Sequence, residues 1–297
     1  MVITMVMVMI TSTKHQNLRD TRCADCFRTG FARLMSRHAL KDETVKSDLN
    51  NKLEQLIQEN RLSSPALQKQ LGQYFRQLTA IADPFSEEKR ISNSLAETLY
   101  SEWKPSVQEA SNPKSLALRL AIAGNIMDYG VNHHFDLEQT IAHVIQCDFA
   151  IDHSQRLLAA LGAAKKVLYL CDNAGEIVMD KLFIETLAHP DLTAVVRGFP
   201  VLNDATMADA MQIGLHKVAK LMDNGSDAPS TLLDDCSPEF REAYQQADLI
   251  IAKGQGNLEG LMPEMDSRIF FLLMAKCDVM AEWLGVSKGS IVVYNPN

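Results

Sequence analysis

The segment 165–188, KKVLYLCDNAGEIVMDKLFIETLA, constrains the fold of this 297-residue chain more than any other. Val167 to Leu170 form an uninterrupted apolar run, which is typical of a buried parallel strand. From Glu176 the apolar residues recur at helical spacing, and an acidic residue in the first turn suits the positive end of a helix dipole. We therefore predict that Asp172 and Asn173 lie at the carboxyl edge of a sheet, where open α/β sheets bind ligands.

The rest of the second half continues this alternation of strand-like and helix-like segments. Further apolar runs predict strands at Ala194–Val196, Leu249–Ala252, Phe270–Met274 and Ile291–Val293. Helical patterns separate the runs, at Glu176–Ala188, Thr206–Gly214, Pro238–Gln246 and Val279–Leu284. Alternation of this kind indicates βαβ units and a mostly parallel sheet that is covered by helices on both faces.

The first half, from Asp20 to about Ser154, shows helical stripes and no convincing strand. One such stripe contains Cys26, Phe27, Phe31, Leu34 and Met35. We predict an all-α domain over residues 20–160 and a three-layer α/β/α Rossmann-like domain with a mostly parallel sheet over residues 161–297. Residues 1–19 are predicted to be a loose N-terminal extension, because the apolar segment Met1–Ile10 is too short to span a bilayer and lacks the features of a secretory signal.

The composition excludes several classes of function. A formal net charge of −8 argues against a protein whose main role is to bind nucleic acid. The six scattered cysteines favour a reducing, cytoplasmic setting, and no segment indicates a membrane partner. An anionic substrate would therefore require locally placed cations or a metal ion. The sequence does not predict the oligomeric state.

Clusters of polar residues and glycines follow three of the predicted strands. They are Asp172, Asn173, Gly175 and Glu176 in the first cluster, Arg197, Asn203 and Asp204 in the second, and Lys253, Gly254, Gln255 and Asn257 in the third. Because the carboxyl ends of parallel strands meet at one edge of a sheet, we expect the three clusters to converge. Carboxylates, amides and two cations together suit a divalent metal ion that holds a phosphate.

Each cluster alone has a simpler interpretation. Asn203 and Asp204 stand before a predicted helix, where such residues are common N-caps. The Asp172–Asn173 and Lys253–Gly256 segments could be turns selected for their own local hydrogen bonding. The recurrence of all three at one edge favours a joint site. Asn125 and Asp128, at the end of a long predicted helix, either cap that helix or line the same site.

Three sequence blocks, CDNAGEIVMD, RGFPVLNDAT and IIAKGQGNLE, resemble the signature blocks of the family known as domain of unknown function 89, described as metal-dependent damage-control phosphatases. The segment RCADCF at residues 22–27 resembles the CxxC region of its archaeal and bacterial branch, and the resemblance extends over nearly the whole chain after Asp20. It implies a two-domain fold and hydrolysis of small phosphate monoesters, such as sugar phosphates or damaged phosphorylated metabolites. It also implies a divalent metal cofactor, Mn²⁺, Co²⁺, Ni²⁺ or Mg²⁺.

The resemblance also implies roles for individual residues. Asp172, Asn173 and Asp204 would be the metal ligands, and the catalytic residues would be Asp172, Asp204 and the phosphate-binding Lys253. The expected substrate-binding residues are Asn125, Asp128, Gly175, Glu176, Arg197, Asn203, Ser226, Asp227, Lys253, Gly254, Gln255 and Asn257. Relatives usually carry glycine where Ser230 stands, so the shape of the loop that carries Ser226 and Asp227 is left open. The nucleophile, either a metal-bound water or an aspartate, also stays open.

Alternative interpretations are weighed against this one. Cys23 and Cys26 have metal-like spacing but no second CxxC nearby, which favours structural packing over a metal or redox role. A nucleotide-cofactor enzyme is disfavoured, because the first strand is followed by one glycine where a dinucleotide fingerprint needs three. A non-catalytic, metal-dependent protein that binds phosphorylated metabolites is the remaining alternative, and turnover would distinguish it from a phosphatase.

Overall fold

The computed structural model describes residues 19–125, 141 and 144–297. The predicted extension up to residue 18 and the candidate residue Asp128 therefore lie outside the described residues. The first half of the chain is helical, with α1 at Cys23–Arg37, α2 at Glu43–Glu59, α3 at Ser64–Thr79, α4 at Ser86–Glu109 and α5 at Pro113–Gly124. Capping side chains begin two of these helices: Asp42 accepts hydrogen bonds from Thr44 and Val45, and Asn112 accepts one from Ser115.

The second half forms a mixed sheet with the strand order β1-β7-β6-β5-β2-β3-β4. The strands are β1 Ile151–Asp152, β2 Val167–Leu170, β3 Leu192–Val196, β4 Lys220–Asp223, β5 Leu249–Lys253, β6 Ile269–Met274 and β7 Ile291–Tyr294. The five central strands β2 to β6 run parallel to one another, and β7 pairs with β6 in the antiparallel sense. The predicted α/β class with a mostly parallel sheet is confirmed.

Helices cover both faces of this sheet. They are α6 Ser154–Ala163, α7 Glu176–Leu187, α8 Met207–Gln212, α9 Pro238–Gln246, α10 Gly254–Leu261 and α11 Asp278–Leu284. The side chains of β2 alternate between two cores: Val167 and Tyr169 pack with residues of α5 and α7, whereas Leu168 and Leu170 pack with residues of α9 and α10. The result is the predicted three-layer α/β/α arrangement.

The helical half contributes to two separate cores. Helices α1 to α3 enclose their own apolar cluster, which includes Phe31, Leu49 and Phe75. Helices α4 and α5 instead share the core on one face of the sheet, where Leu118 belongs to the same cluster as Tyr169. The division of the chain near residue 160 stays a prediction. Cys26, which we placed on the buried stripe of α1, is exposed, so that prediction was wrong.

The strand order reverses at β2, because the chain passes from β2 to β3 and β4 on one side and then returns to β5 on the other. The carboxyl ends of β2 and β5 therefore flank a topological switch point, the usual ligand crevice of such sheets. Asp172 follows β2 and Gly254 follows β5. Within the described part of the chain, no helix is long and apolar enough to cross a bilayer.

Candidate active site

Backbone hydrogen bonds join the loop after β2 to the loop after β3. The amide of Ala205 donates to the carbonyl oxygen of Asp172 at 2.8 Å, and the amide of Ala174 donates to that of Asn203 at 2.9 Å. Asn173 and Asp204 thereby form an antiparallel bridge outside the main sheet. Two loops separated by about thirty residues in sequence thus place two predicted metal ligands side by side.

The guanidinium of Arg197 joins all three predicted clusters. Its Nε donates to Asp204 Oδ2 at 2.6 Å, its Nη2 lies 3.5 Å from Asp172 Oδ1, and its Nη1 donates to Asn257 Oδ1 at 3.1 Å. The side chain is only 2% exposed. Because a buried guanidinium needs carboxylate partners, this contact fixes the orientation of Asp172 and Asp204 relative to each other.

Two amide side chains are oriented by carboxylates at the same place. Asn173 Nδ2 donates to Asp172 Oδ2 at 2.9 Å and to Glu176 Oε2 at 3.1 Å. Asn125 Nδ2 donates to the same Glu176 oxygen at 2.8 Å. Since the amide nitrogens face carboxylates, the amide oxygens point elsewhere, and the buried Oδ1 of Asn125 has no hydrogen-bond partner in the part of the chain that is described.

Lys253 is fully buried at the end of β5, and its ammonium group contacts three protein acceptors. The Nζ atom donates to the carbonyl oxygen of Ala121 at 2.9 Å, to Glu176 Oε1 at 2.8 Å and to Asp180. These contacts account for all three donors of an ammonium group. Asp180 also accepts a hydrogen bond of 2.7 Å from the hydroxyl of Tyr169. The phosphate-binding role of Lys253 stays a prediction.

Burial and neighbouring charges act in opposite directions on the pKa values of Lys253 and Asp180. Burial alone would lower the pKa of Lys253, but the charges of Asp180 and Glu176 outweigh it and raise that pKa. Burial raises the pKa of Asp180 to about 7, against the opposing effect of Lys253. The lysine therefore stays protonated and compensates the carboxylates of α7.

Two glycines permit close backbone approaches at this edge of the sheet. Gly254 has a φ of +76°, and a Cβ atom there would lie 1.8 Å from Asp172 Oδ2. Gly175 has a φ of +79°, and its amide donates to Asn93 Oδ1 at 2.7 Å. The start of α10 therefore lies directly against Asp172, and glycine is the residue that fits there.

The remaining predicted residues lie beside this cluster. The carbonyl oxygen of Ser226 accepts hydrogen bonds from Gly198 and Phe199, which directly follow Arg197. Asp227 is paired with Arg76 and Lys69 of α3. Gln255 instead donates to Glu259 Oε1 at 3.1 Å and contacts Cys277.

The sequence analysis missed several residues of the site. Asp180 and Tyr169 support Lys253, Asn93 holds Gly175, and Arg76 reaches the loop that carries Asp227. Asp180 could have been found, because it lies one helical turn after Glu176 and therefore on the same face of the helix. The contributions of α3 depend on how the two halves pack, and no local pattern signals them.

The residues present fit a divalent cation. The buried carboxylates of Asp172, Glu176, Asp180 and Asp204 outnumber the two buried cations among their described partners, Arg197 and Lys253. Burial, and then the charges of Asp204 and Glu176, raise the pKa of Asp172 well above its usual range, although Arg197 and Lys276 oppose the shift. Carboxylate and amide oxygens are the hard ligands that such ions prefer.

The predicted ligand set includes one amide, that of Asn173. No group of three or more His, Cys, Asp or Glu side chains in the described residues is arranged as a metal site. The candidate set therefore consists of two carboxylates and the amide oxygen of Asn173. For Cys23 and Cys26, the same finding means that no third side chain of these types joins them in a metal site within the described ranges.

Comparison with known proteins decides the family. The model of the damage-control phosphatase ARMT1-like domain matches residues 20–292. The chain belongs to this ARMT1-like family. The match confirms the predicted resemblance, and the family's activity, metal-dependent phosphate-ester hydrolysis, confirms the predicted enzyme class.

Similar proteins come from archaea. The damage-control phosphatase PH1575 of Pyrococcus horikoshii is 37% identical over 214 residues, which cover 71% of this chain and 74% of that protein. A damage-control phosphatase of Archaeoglobus fulgidus is 33% identical over 261 residues, or 84% of this chain and 90% of its own. The crystal structure of PH1575, described as a DUF89 family protein, superposes with a TM-score of 0.84 and covers 93% of this ARMT1-like chain and 98% of its own, at 31% identity.

Proposed function

We propose that this ARMT1-like protein hydrolyses small phosphate monoesters, either sugar phosphates or damaged phosphorylated metabolites, with a divalent cation held by Asp172, Asn173 and Asp204. The observation that carries the proposal is the buried Arg197, whose contacts of 2.6 Å to Asp204 and 3.5 Å to Asp172 hold two carboxylates from separate loops together. Those carboxylates lie at the switch point of the sheet, where this fold binds ligands.

When bound, the cation would polarise a phosphoryl oxygen and neutralise charge as the ester bond breaks. The residues of the chain prepare the site for it. Arg197 aligns the two carboxylates, and Glu176 holds the amide nitrogen of Asn173 so that its oxygen is free to serve as a ligand. The amino end of α10 at Gly254 supplies the positive end of a helix dipole for phosphate oxygens.

The contacts of Lys253 favour a positioning role over direct contact with the phosphate. Its ammonium group is buried and binds Glu176 at 2.8 Å, and Glu176 in turn binds the amide of Asn173 at 3.1 Å. Lys253 would therefore act on the metal ligand through one intervening carboxylate. Asn125, whose amide oxygen is buried and faces no protein donor among the described residues, is proposed to line the substrate side of the site.

The choice of metal and the cellular setting are part of the same proposal. Oxygen ligands suit Mn²⁺ and Mg²⁺, and Co²⁺ or Ni²⁺ would also be accepted. The six free cysteines favour a reducing, cytoplasmic setting. The alternative, a protein that binds phosphorylated metabolites without turnover, would use the same ligands.

The test is phosphate release from p-nitrophenyl phosphate and a panel of sugar phosphates, with each of the four metals and with chelator. Wild-type protein should release phosphate only with metal, and Asp172→Ala should abolish the release. Asp191→Ala is the matched control, because Asp191 is a partly exposed carboxylate paired with Lys220. Metal and substrate binding without turnover would support the binder instead. Full activity in Asp172→Ala would remove the proposed mechanism.

A further inference from the structure

Helix α3, in the helical half of the chain, contacts two loops at the carboxyl edge of the sheet through one side chain. Arg76 Nη1 donates to the carbonyl oxygen of Pro200 at 2.9 Å, and its Nη2 pairs with Asp227. Pro200 belongs to the loop 197–204, which begins with Arg197 and ends with Asp204. One guanidinium therefore bridges the loop that carries a metal ligand and the loop that carries Asp227.

The loop 197–204 is strained and needs external support. Leu202 has a φ of +45°, in the left-handed region that bulky residues avoid, and such a conformation persists only where the surroundings enforce it. Backbone contacts to Ser226 secure the start of the loop at Gly198 and Phe199. The side chain of Val201 is buried, but that of Phe199, at the tip of the loop, is 57% exposed and gains little from apolar packing. Arg76 provides a charged anchor between that tip and Leu202.

We propose that Arg76 is a positioning residue for the metal ligand Asp204, and that it acts through Pro200 and the strained loop. This inference rests on the proposed function, because it concerns the affinity of the same site for its cation. Asp227 neutralises Arg76 and orients its planar guanidinium through Nη2, so that Nη1 reaches the carbonyl oxygen of Pro200. A lysine lacks the planar guanidinium, whose two arms are held in a fixed geometry, so it would hold Pro200 and Asp227 less precisely. The helical half thereby contributes to metal binding without contacting the metal.

The same helix offers a matched control. Lys69 lies seven residues before Arg76, about two helical turns along the same face. It approaches Asp227 at 3.4 Å and pairs with Asp235, but within the described part of the chain it makes no hydrogen bond or ion pair with the loop 197–204. Both side chains are 21% exposed. Lys69→Ala therefore removes an equally buried cation beside the same carboxylate without touching the loop that carries Asp204.

The experiment is calorimetric titration of the full-length protein with Mn²⁺ alone, in the absence of substrate. Arg76→Ala should raise the dissociation constant about tenfold, the effect of losing one charge-assisted hydrogen bond. Lys69→Ala should stay within about twofold of wild type. Arg76→Lys should fall between wild type and Arg76→Ala. At saturating Mn²⁺, the kcat of Arg76→Ala should return to near the wild-type value, which a purely structural defect would not allow.

Equal Mn²⁺ affinity in wild type and Arg76→Ala would overturn the inference, and so would equal weakening in Lys69→Ala. If Arg76→Ala does not fold, Arg76→Lys decides the matter, because wild-type affinity in that variant would show that the bridge to Pro200 is dispensable. Failure of the wild-type protein to bind any of the four ions Mn²⁺, Mg²⁺, Co²⁺ and Ni²⁺ would instead overturn the proposed function itself. The two failures are therefore distinguishable.

Discussion

Asn173 Nδ2 donates a hydrogen bond of 3.1 Å to Oε2 of Glu176, whose other oxygen accepts one of 2.8 Å from Lys253. Glu176 thus connects the amide of a proposed metal ligand to a lysine with no exposed surface. The orientation of the proposed ligand therefore depends on a buried charge array formed by Glu176 and Lys253. The role of this buried charge array can therefore be tested separately from catalysis.

Replacement of Lys253 by methionine should destabilise the protein strongly. The substitution keeps the volume but leaves Glu176 and Asp180 buried without their cation. Loss of one partner from a buried ion pair costs about 3–5 kcal/mol. We expect a decrease of that size in the free energy of unfolding, measured by urea denaturation at pH 7 without metal.

Lys104→Met is the control, because Lys104 pairs with Glu185 at a partly exposed position. This substitution should cost about 1 kcal/mol or less. Similar losses in both variants would show that Lys253 does not compensate the buried carboxylates.

Gly254→Ala should reduce activity strongly. A Cβ atom at this position would lie 1.8 Å from Asp172 Oδ2, so the carboxylate would have to move. We expect kcat/KM for p-nitrophenyl phosphate to fall by about 100-fold or more, since displacement of a metal ligand costs several kcal/mol of transition-state stabilisation.

Gly285→Ala separates this displacement from backbone strain. Gly285 has a φ of +70° but open space around its Cβ position. Alanine there should lower the free energy of unfolding by about 1–2 kcal/mol and leave kcat/KM unchanged. If Gly254→Ala keeps wild-type kcat/KM, then the contact between α10 and Asp172 does not matter for catalysis.

Glu259→Gln should stabilise the protein near neutral pH and have less effect in acid. Burial raises the pKa of Glu259, partly offset by the hydrogen bond from Gln255. A carboxyl group whose folded pKa is raised favours the folded state below its unfolded pKa of about 4.3, and this stability is lost as pH rises through the folded pKa. The gain from glutamine should therefore grow between pH 4 and pH 8. Thermal unfolding across that range is the measurement, and a gain that shrinks with rising pH would contradict the expected sign.

The parts of the fold that the sequence predicts are those with an uninterrupted physical signal. All five predicted strands are present, and Val167–Leu170 has the predicted bounds, because a strand buried on both faces needs a continuous apolar run. The edge strand Lys220–Asp223 was missed because its two end residues are exposed and it lacks such a run. Helix α10 was missed because its glycine-rich start, which lets the backbone approach Asp172, has the composition of a loop.

The candidate site was predictable to the extent that it follows strand ends. Asp172, Asp204 and Asn257 converge on Arg197 as expected, because parallel strands end at one edge. The supporting residues were not predictable in the same way. Arg76 lies on an ordinary amphipathic helix, and its partners Pro200 and Asp227 are more than a hundred residues away in sequence. Only tertiary packing identifies such a contact.

The central claim is that Asp172, Asn173 and Asp204 hold one divalent cation. Anomalous X-ray diffraction from crystals soaked in Mn²⁺ tests it most directly. The account predicts a single strong anomalous peak within about 2.0–2.5 Å of oxygens from all three side chains. A peak elsewhere, for example beside Cys23 and Cys26, or the absence of a peak between these loops at saturating Mn²⁺, would contradict it.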